Sequence, residues 1–435
     1  MQLSTIFLFL CVPFYFLLNE YIDQKTKLFI VPVILFYLPA SFIIEKLSSY
    51  SGTESFLTTY LLEIINCIAI LILFSLIKIG NNLNNVDKAF LYFWLYFTLT
   101  SFLFGNSWVS GITKLIVLII FLSGLNCGKF IVQNRLEQKA FNFLSLSGLL
   151  CAYLYWKMLL PDMQTGLYQQ LGFAGNEIFN PNVAALLCLP FIVSSLFTTF
   201  IFPNKLAFKI IGLSSLISNF YLLFMTGSRN AFYAAIICVI VFIAYKNRIN
   251  LKKTLLLPIL IAILCASAYY LSSFTDNRIL QLFIDPEADK FTGRGQIWGY
   301  YLNKMDAINY IFGSGGAMDP GTNRWSNMHS MYIQIFYESG IIGSILFLLF
   351  IGKFFFLSSK IGKYAIIALC IFATVLASGI AESYPIRGFS IINFMWGISV
   401  GLLSTESCDL ATNGVIETEQ LFWSDQGFLE ARDQT

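Results

Sequence analysis

Apolar runs of about 20 residues, the length a helix needs to cross the hydrocarbon core of a bilayer, recur along almost this entire chain. A backbone inside lipid must satisfy its own hydrogen bonds, so runs of this kind fold as helices. Composition agrees with that constraint. Of 435 residues, 57% are hydrophobic and 12% charged, whereas a soluble globule carries roughly a quarter charged residues. Phe occurs 44 times, as suits lipid-facing and helix-packing surfaces. The expected fold class is all-α: a polytopic membrane protein of about 12–13 transmembrane helices. The net charge of +3 is too small to imply a nucleic-acid partner.

The expected spans are 1–19, 27–44, 56–79, 88–104, 111–126, 140–160, 183–202, 210–225, 230–245, 254–272, 331–351, 364–381 and 386–403. Residues 1–19 lack the basic start and small-residue cleavage site of a signal peptide and read as a retained helix. Basic connections orient the chain. Lys129/Arg135/Lys139, Lys205/Lys209, Lys246/Arg248/Lys252/Lys253 and Lys353/Lys360/Lys363 belong inside, whereas Pro161–Asn182, free of Lys and Arg, belongs outside. The tail 404–435 is then cytoplasmic, and from Thr405 it holds seven carboxylates against Arg432. Nine cysteines, mostly within apolar runs, read as small core hydrophobes rather than a disulfide framework. Glu63 is the one ionisable residue read as lying well inside a span.

The connection 273–330 is far longer than the others, and long loops in compact proteins are usually functional or disordered. Within Gly295–Asn309, residues Ile297, Trp298, Tyr301, Leu302, Met305 and Ile308 repeat at helical spacing, with Asn303, Lys304 and Asp306 opposite. A surface helix is expected there, stopped by Phe312-Gly313-Ser314-Gly315-Gly316.

Arginine and lysine sort differently across the expected membrane. Of eight arginines, Arg229, Arg278, Arg294, Arg324 and Arg387 fall on the expected outer side, whereas lysines keep mainly to the inside. Guanidinium groups make bidentate contacts with phosphate oxygens and stay charged, so an anionic phosphorylated ligand at the outer leaflet is the natural inference. Each arginine also has a structural reading. Arg229 could snorkel from its hairpin turn, Arg294 could start the surface helix, and Arg387 could pair with Glu382. His329, the only histidine, opens the span that begins near residue 331. An unperturbed imidazole, with a pKa of about 6.5, serves as base or acid near neutral pH, or else is a structural histidine at the interface. One histidine without well-placed cysteines is a poor zinc site, so no metal or other cofactor is expected. The acidic Asp285-Pro286-Glu287-Ala288-Asp289 stretch reads as a solvated loop.

Taken in order, GNEIFNPNVA (175–184), TGSRNA (226–231), TGRGQIW (292–298), IFGSGG (311–316) and HSMYIQIFYESGIIG (329–343) resemble the bacterial O-antigen ligase and O-antigen polymerase family of integral membrane glycosyltransferases. The resemblance covers roughly residues 170–350. It implies a helical bundle with one large periplasmic loop in the bacterial inner membrane. It also implies metal-independent transfer of a glycan from an undecaprenyl-diphosphate carrier, the acceptor being lipid A–core sugar for a ligase or another lipid-linked glycan for a polymerase. Carried over by motif, Arg229 and Arg294 would grip the diphosphate and His329 would be catalytic. Arg387 joins the binding set only through its expected side. Ser330 stands where the family often has asparagine after the histidine. The implied organisation is N-terminal helices over 1–160, a catalytic region over 161–403 including the loop, and the tail. The single dominant loop with one histidine favours the ligase over the polymerase. A transporter of lipid-linked glycans is the alternative of another class, and the scarcity of mid-span ionisable groups argues against it.

Overall fold

A computed structural model describes residues 23–50, 56–74, 76, 83–105, 108–164, 181–226, 228–246, 294–316, 328–359, 363–380, 386 and 391–413. All regular structure among them is helical. The helices are α1 (Gln24–Tyr50), α2 (Phe56–Phe74), α3 (Asn85–Leu103), α4 (Trp108–Gln133), α5 (Glu137–Gln164), α6 (Pro181–Phe200), α7 (Leu206–Met225), α8 (Arg229–Lys246), α9 (Arg294–Leu302), α10 (Ala307–Phe312), α11 (Met331–Ser358), α12 (Lys363–Ser378) and α13 (Ile391–Asn413). Within α4, α7 and α11 lie stretches long and apolar enough to cross a bilayer, Ser110–Gln133, Leu206–Phe224 and Met331–Ser358. The chain is an all-α polytopic membrane protein. The expected spans 1–19 and 254–272 lie outside the described residues; each remaining expected span coincides with one of α1–α8 and α11–α13.

The core explains part of the phenylalanine content. Phe90, Phe93, Trp94 and Phe97 of α3 are fully buried, together with Phe121 of α4, Phe350 and Phe354 of α11, Phe372 of α12 and Trp396 of α13. Phe354 stacks on Phe372 with ring centroids 3.8 Å apart. Trp94 lies 4.4 Å from Phe121, which meets the edge of Trp396 at 5.1 Å. Each such pair adds about 0.5–1.5 kcal/mol beyond area burial. The six described cysteines are buried among these apolar side chains, Cys127 included, although its position in the sequence suggested a loop.

Helices α4 and α13 approach most closely through glycines spaced four apart on each, Gly124/Gly128 and Gly397/Gly401. A Cβ on Gly397 would lie 3.0 Å from Gly124 Cα, and one on Gly401 2.9 Å from the Lys129 backbone nitrogen. Small residues at this spacing let helix backbones pack by van der Waals contact where lipid removes the hydrophobic driving force. Gly401→Leu is therefore expected to lower stability by about 1–3 kcal/mol or more through overpacking. A fall in the melting temperature of the detergent-solubilised protein would register it.

The structure corrects the charge map. Lys129, assigned from the sequence to a basic connection, lies inside α4, where its Nζ meets Asp87 Oδ2 at 2.6 Å; both side chains are buried. The same Asp87 oxygen accepts the Ser404 hydroxyl at 2.7 Å. A second buried pair joins Lys114 of α4 to Glu338 of α11. Glu63 is thus not the one ionisable residue within the spans. Lys114 and Lys129 are separated on α4 by roughly 22 Å along the axis, so the two pairs lie toward opposite ends of that helix.

Candidate active site

Three of the four residues singled out in the sequence stand at helix N-termini. Arg229 is the first residue of α8 and Arg294 the first of α9. His329 lies one residue ahead of Ser330, the N-cap of α11. The partial positive charge of a helix N-terminus and its free N–H groups favour anions.

A chain of hydrogen bonds ties these termini together. Asn230, adjacent to Arg229, donates from Nδ2 to the Ser378 carbonyl at 2.6 Å. The neighbouring Gly379 carbonyl accepts the backbone N–H of Met331 at 2.8 Å. Tyr332 donates its hydroxyl to the Leu376 carbonyl at 2.8 Å. The end of α12 therefore clamps the starts of α8 and α11 side by side. From the other flank, Trp298 of α9 donates its indole N–H to the Met328 carbonyl at 2.7 Å. Trp298 is one helical turn beyond Arg294. Buried Ile297, Tyr301, Met305, Met328 and Tyr337 form a small separate core between α9 and the start of α11.

His329 itself departs from the expectation that it begins the helix. Its φ is +48°, in the left-handed region, while Ser330 is extended. Histidine tolerates this conformation better than most side chains. The residue is half-buried with its Nδ1 shielded from solvent, and Met328, Ser330 and Met331 around it are buried. Strained backbone of this kind concentrates at ligand and catalytic sites.

The expected single surface helix is two. α9 ends at Leu302, and Asp306 caps α10 by accepting the Asn309 N–H at 2.7 Å. That cap resets the phase: Ile297, Tyr301 and Met305 are buried as expected, but Ile308 is exposed. The glycine-rich stop falls where expected, with Gly313 (φ +91°) ending α10.

The stop then packs into a break in α11. Gly340 has φ +64° and ψ −163° in the middle of that 28-residue helix. The Tyr337 and Glu338 carbonyls, unable to continue the helical ladder across the break, accept the N–H groups of Ser314 (2.8 Å) and Gly315 (3.1 Å). The Ser314 hydroxyl also reaches the Tyr337 carbonyl at 2.9 Å. Irregular backbone is tolerated in a membrane protein when other protein satisfies it in this way. The break divides α11 in function as well as in shape. Exposed large apolar residues begin at Ile341 and recur at Ile345, Leu348, Leu349, Phe355 and Phe356. Residues 331–339 present none. The first segment is an arm sheathed in protein, and the second faces lipid.

Glu338 at the end of this arm pairs with a neighbouring helix. Its Oε2 lies 2.6 Å from Lys114 Nζ, and its Oε1 accepts from Gln334. Lys114 is buried. Its Nζ also reaches the Ile386 carbonyl at 3.4 Å and sits 4.3 Å from the Phe97 ring centroid. Arg387, directly after Ile386, lies outside the described residues, as does Glu382.

Helices long and apolar enough to cross a bilayer, with α9 packed on the start of α11 and the end of α12 holding the starts of α8 and α11 together, define an integral membrane protein with a candidate site at one end of the bundle. Residues 214–348, which include Arg229, Arg294 and His329, match the family model described as O-antigen ligase, and the match supports the resemblance to the O-antigen ligase and polymerase family. No curated protein matches the chain. The family match supports a ligase-like or polymerase-like role in polysaccharide biosynthesis and a membrane glycosyltransferase-like enzyme working on lipid-linked glycans.

Proposed function

We propose that this protein is an O-antigen ligase-like glycosyltransferase of the bacterial inner membrane. It moves a glycan from undecaprenyl diphosphate to an acceptor hydroxyl at the periplasmic face. The observation that carries this reading is the clamp at the end of α12, which sets the start of α8, with Arg229, beside the start of α11, with His329. Arg229 and Arg294, at two helix N-termini, suit the two phosphates of the carrier, and Arg387 is assigned to the same role from its expected side alone. His329 accepts the proton of the acceptor hydroxyl as its oxygen attacks the anomeric carbon. The bond from that carbon to the carrier phosphate breaks, the configuration inverts, and the diphosphate leaves as an anion whose charge the arginines balance. The charge-balancing role commonly met by a metal ion falls here to fixed guanidinium groups.

Purified protein in proteoliposomes, given lipid-linked glycan and lipid A–core acceptor, is expected to form a new glycosidic bond. Movement of the donor across the bilayer without bond formation would replace this reading with a transporter. Joining of one lipid-linked glycan to another would make the protein the polymerase. Arg229→Lys and Arg294→Lys are each expected to slow transfer by about 10–100-fold, because an ammonium replaces a bidentate fork worth about 1.5–3 kcal/mol per charged hydrogen bond. Undiminished transfer by both variants would remove the diphosphate grip.

A further inference from the structure

The two buried ion pairs on α4 have the same 2.6 Å separation but different surroundings. Asp87–Lys129 joins α4 to the start of α3 and to Ser404 of α13, at the end of the bundle away from His329. Lys114–Glu338 lies at the end that carries the site. Its carboxylate belongs to the last turn of the arm 331–339, immediately before the Gly340 break. Its ammonium also touches the carbonyl of Ile386, the residue preceding Arg387. A single buried cation therefore links the arm that follows His329 to Ile386. The break at Gly340 makes that contact consequential. An unbroken helix would fix the arm through its own ladder, whereas here the arm's orientation depends on what holds its last turn.

We propose that Lys114 is a positioning residue for glycan transfer. Through Glu338 and the Ile386 carbonyl it fixes the arm that presents His329, and the inference rests on the reading of His329 as the base. Lys114 touches no reacting atom in this scheme. It sets the distance between the base and the phosphate-binding side of the site, where a displacement of about 1 Å can cost roughly a hundredfold in rate. Neutralising it also leaves the Glu338 carboxylate buried and unbalanced, so the two positions are coupled.

The twin pair supplies the control. Lys114→Met is expected to lower kcat by about 100-fold while the KM for the lipid-linked donor changes by less than about threefold. Lys114→Arg, which keeps the charge, recovers most of the loss. Removing both charges in Lys114→Met/Glu338→Gln recovers part of it, because no orphan carboxylate remains. Lys129→Met lowers the melting temperature but leaves kcat within about twofold, because its pair lies away from the site. A readout independent of turnover exists because the chain holds one histidine. Protein labelled with 13C-histidine gives a single imidazole Cε1 resonance, expected to shift in Lys114→Met and Glu338→Gln and to stay put in Lys129→Met. Wild-type kcat in Lys114→Met, or equal loss of kcat in Lys129→Met, overturns the proposal, as does an unmoved histidine resonance. Should Lys114→Met not accumulate as folded protein, Glu338→Gln, which preserves side-chain volume, decides by the same measurements. A wild-type protein without transfer activity would strike the reading behind the proposal. The resonance would then decide the positioning of His329 alone.

Discussion

Transfer by His329→Ala is expected to fall by about 10²–10⁴-fold, the usual contribution of a placed general base. No other imidazole exists in the chain to take over. Because His329 holds φ at +48°, a loss in the alanine variant has two sources to separate: a missing base and an altered turn. His329→Gly separates them. Glycine enters the left-handed region freely, so that variant keeps or gains stability while still lacking a base. Both variants should insert, purify as monodisperse protein and fail at transfer to the same degree. Added imidazole should restore part of the rate in the glycine variant, where the removed ring leaves room. Activity near wild type in His329→Gly would show that the residue shapes the turn without moving a proton, and the base would have to be sought elsewhere.

Much of this architecture was legible in the residues because lipid permits few solutions. An apolar run of the right length has one regular fold, so the spans from α1 to α8 and α11 to α13 followed from length and hydropathy. The glycine stop at 313–316 followed from a short motif, and the motifs of Arg229, Arg294 and His329 fall at or beside helix starts. What escaped was whatever depends on which helix meets which. Lys129 looked like a cytoplasmic loop residue because charge near the end of a span is ordinarily solvated, and only Asp87, a neighbour in space, makes it a core residue. The Lys114–Glu338 pair escaped for the same reason; the signal available was opposite charge, each just inside an apolar run. The division of the surface helix was readable in principle, because Asp306 three residues before Asn309 is an N-cap arrangement. Helical periodicity alone carried the reading through it. The left-handed turn at His329 left no trace in the sequence, since histidine, unlike glycine, does not advertise that conformation.

The second large effect is expected at Gly340, where Gly340→Ala should reduce the yield of folded protein and abolish transfer in what remains. At φ +64° and ψ −163° this residue occupies a region essentially reserved for glycine, where a side chain costs about 1–3 kcal/mol in backbone strain. The added methyl would also sit 2.6 Å from the Gly313 nitrogen and deep within contact of the Ile311 carbonyl. Both obstacles are backbone, which cannot rotate aside as a side chain would. Relief requires α10 and the glycine loop to lift from α11, and that exposes the Tyr337 and Glu338 carbonyls now capped by Ser314 and Gly315. Two lost hydrogen bonds at buried acceptors add about 1–3 kcal/mol each. Alternatively α11 straightens into one continuous helix, which swings the arm and the turn of His329 away from the end of α12. Either route separates the base from the arginines, so the variant tests the break itself rather than any one side chain. Limited proteolysis is the direct measurement: faster cleavage near residues 303–316 in Gly340→Ala than in wild type is expected, with unchanged cleavage elsewhere. A variant that keeps wild-type protection and transfer would mean that the broken helix is incidental to the site.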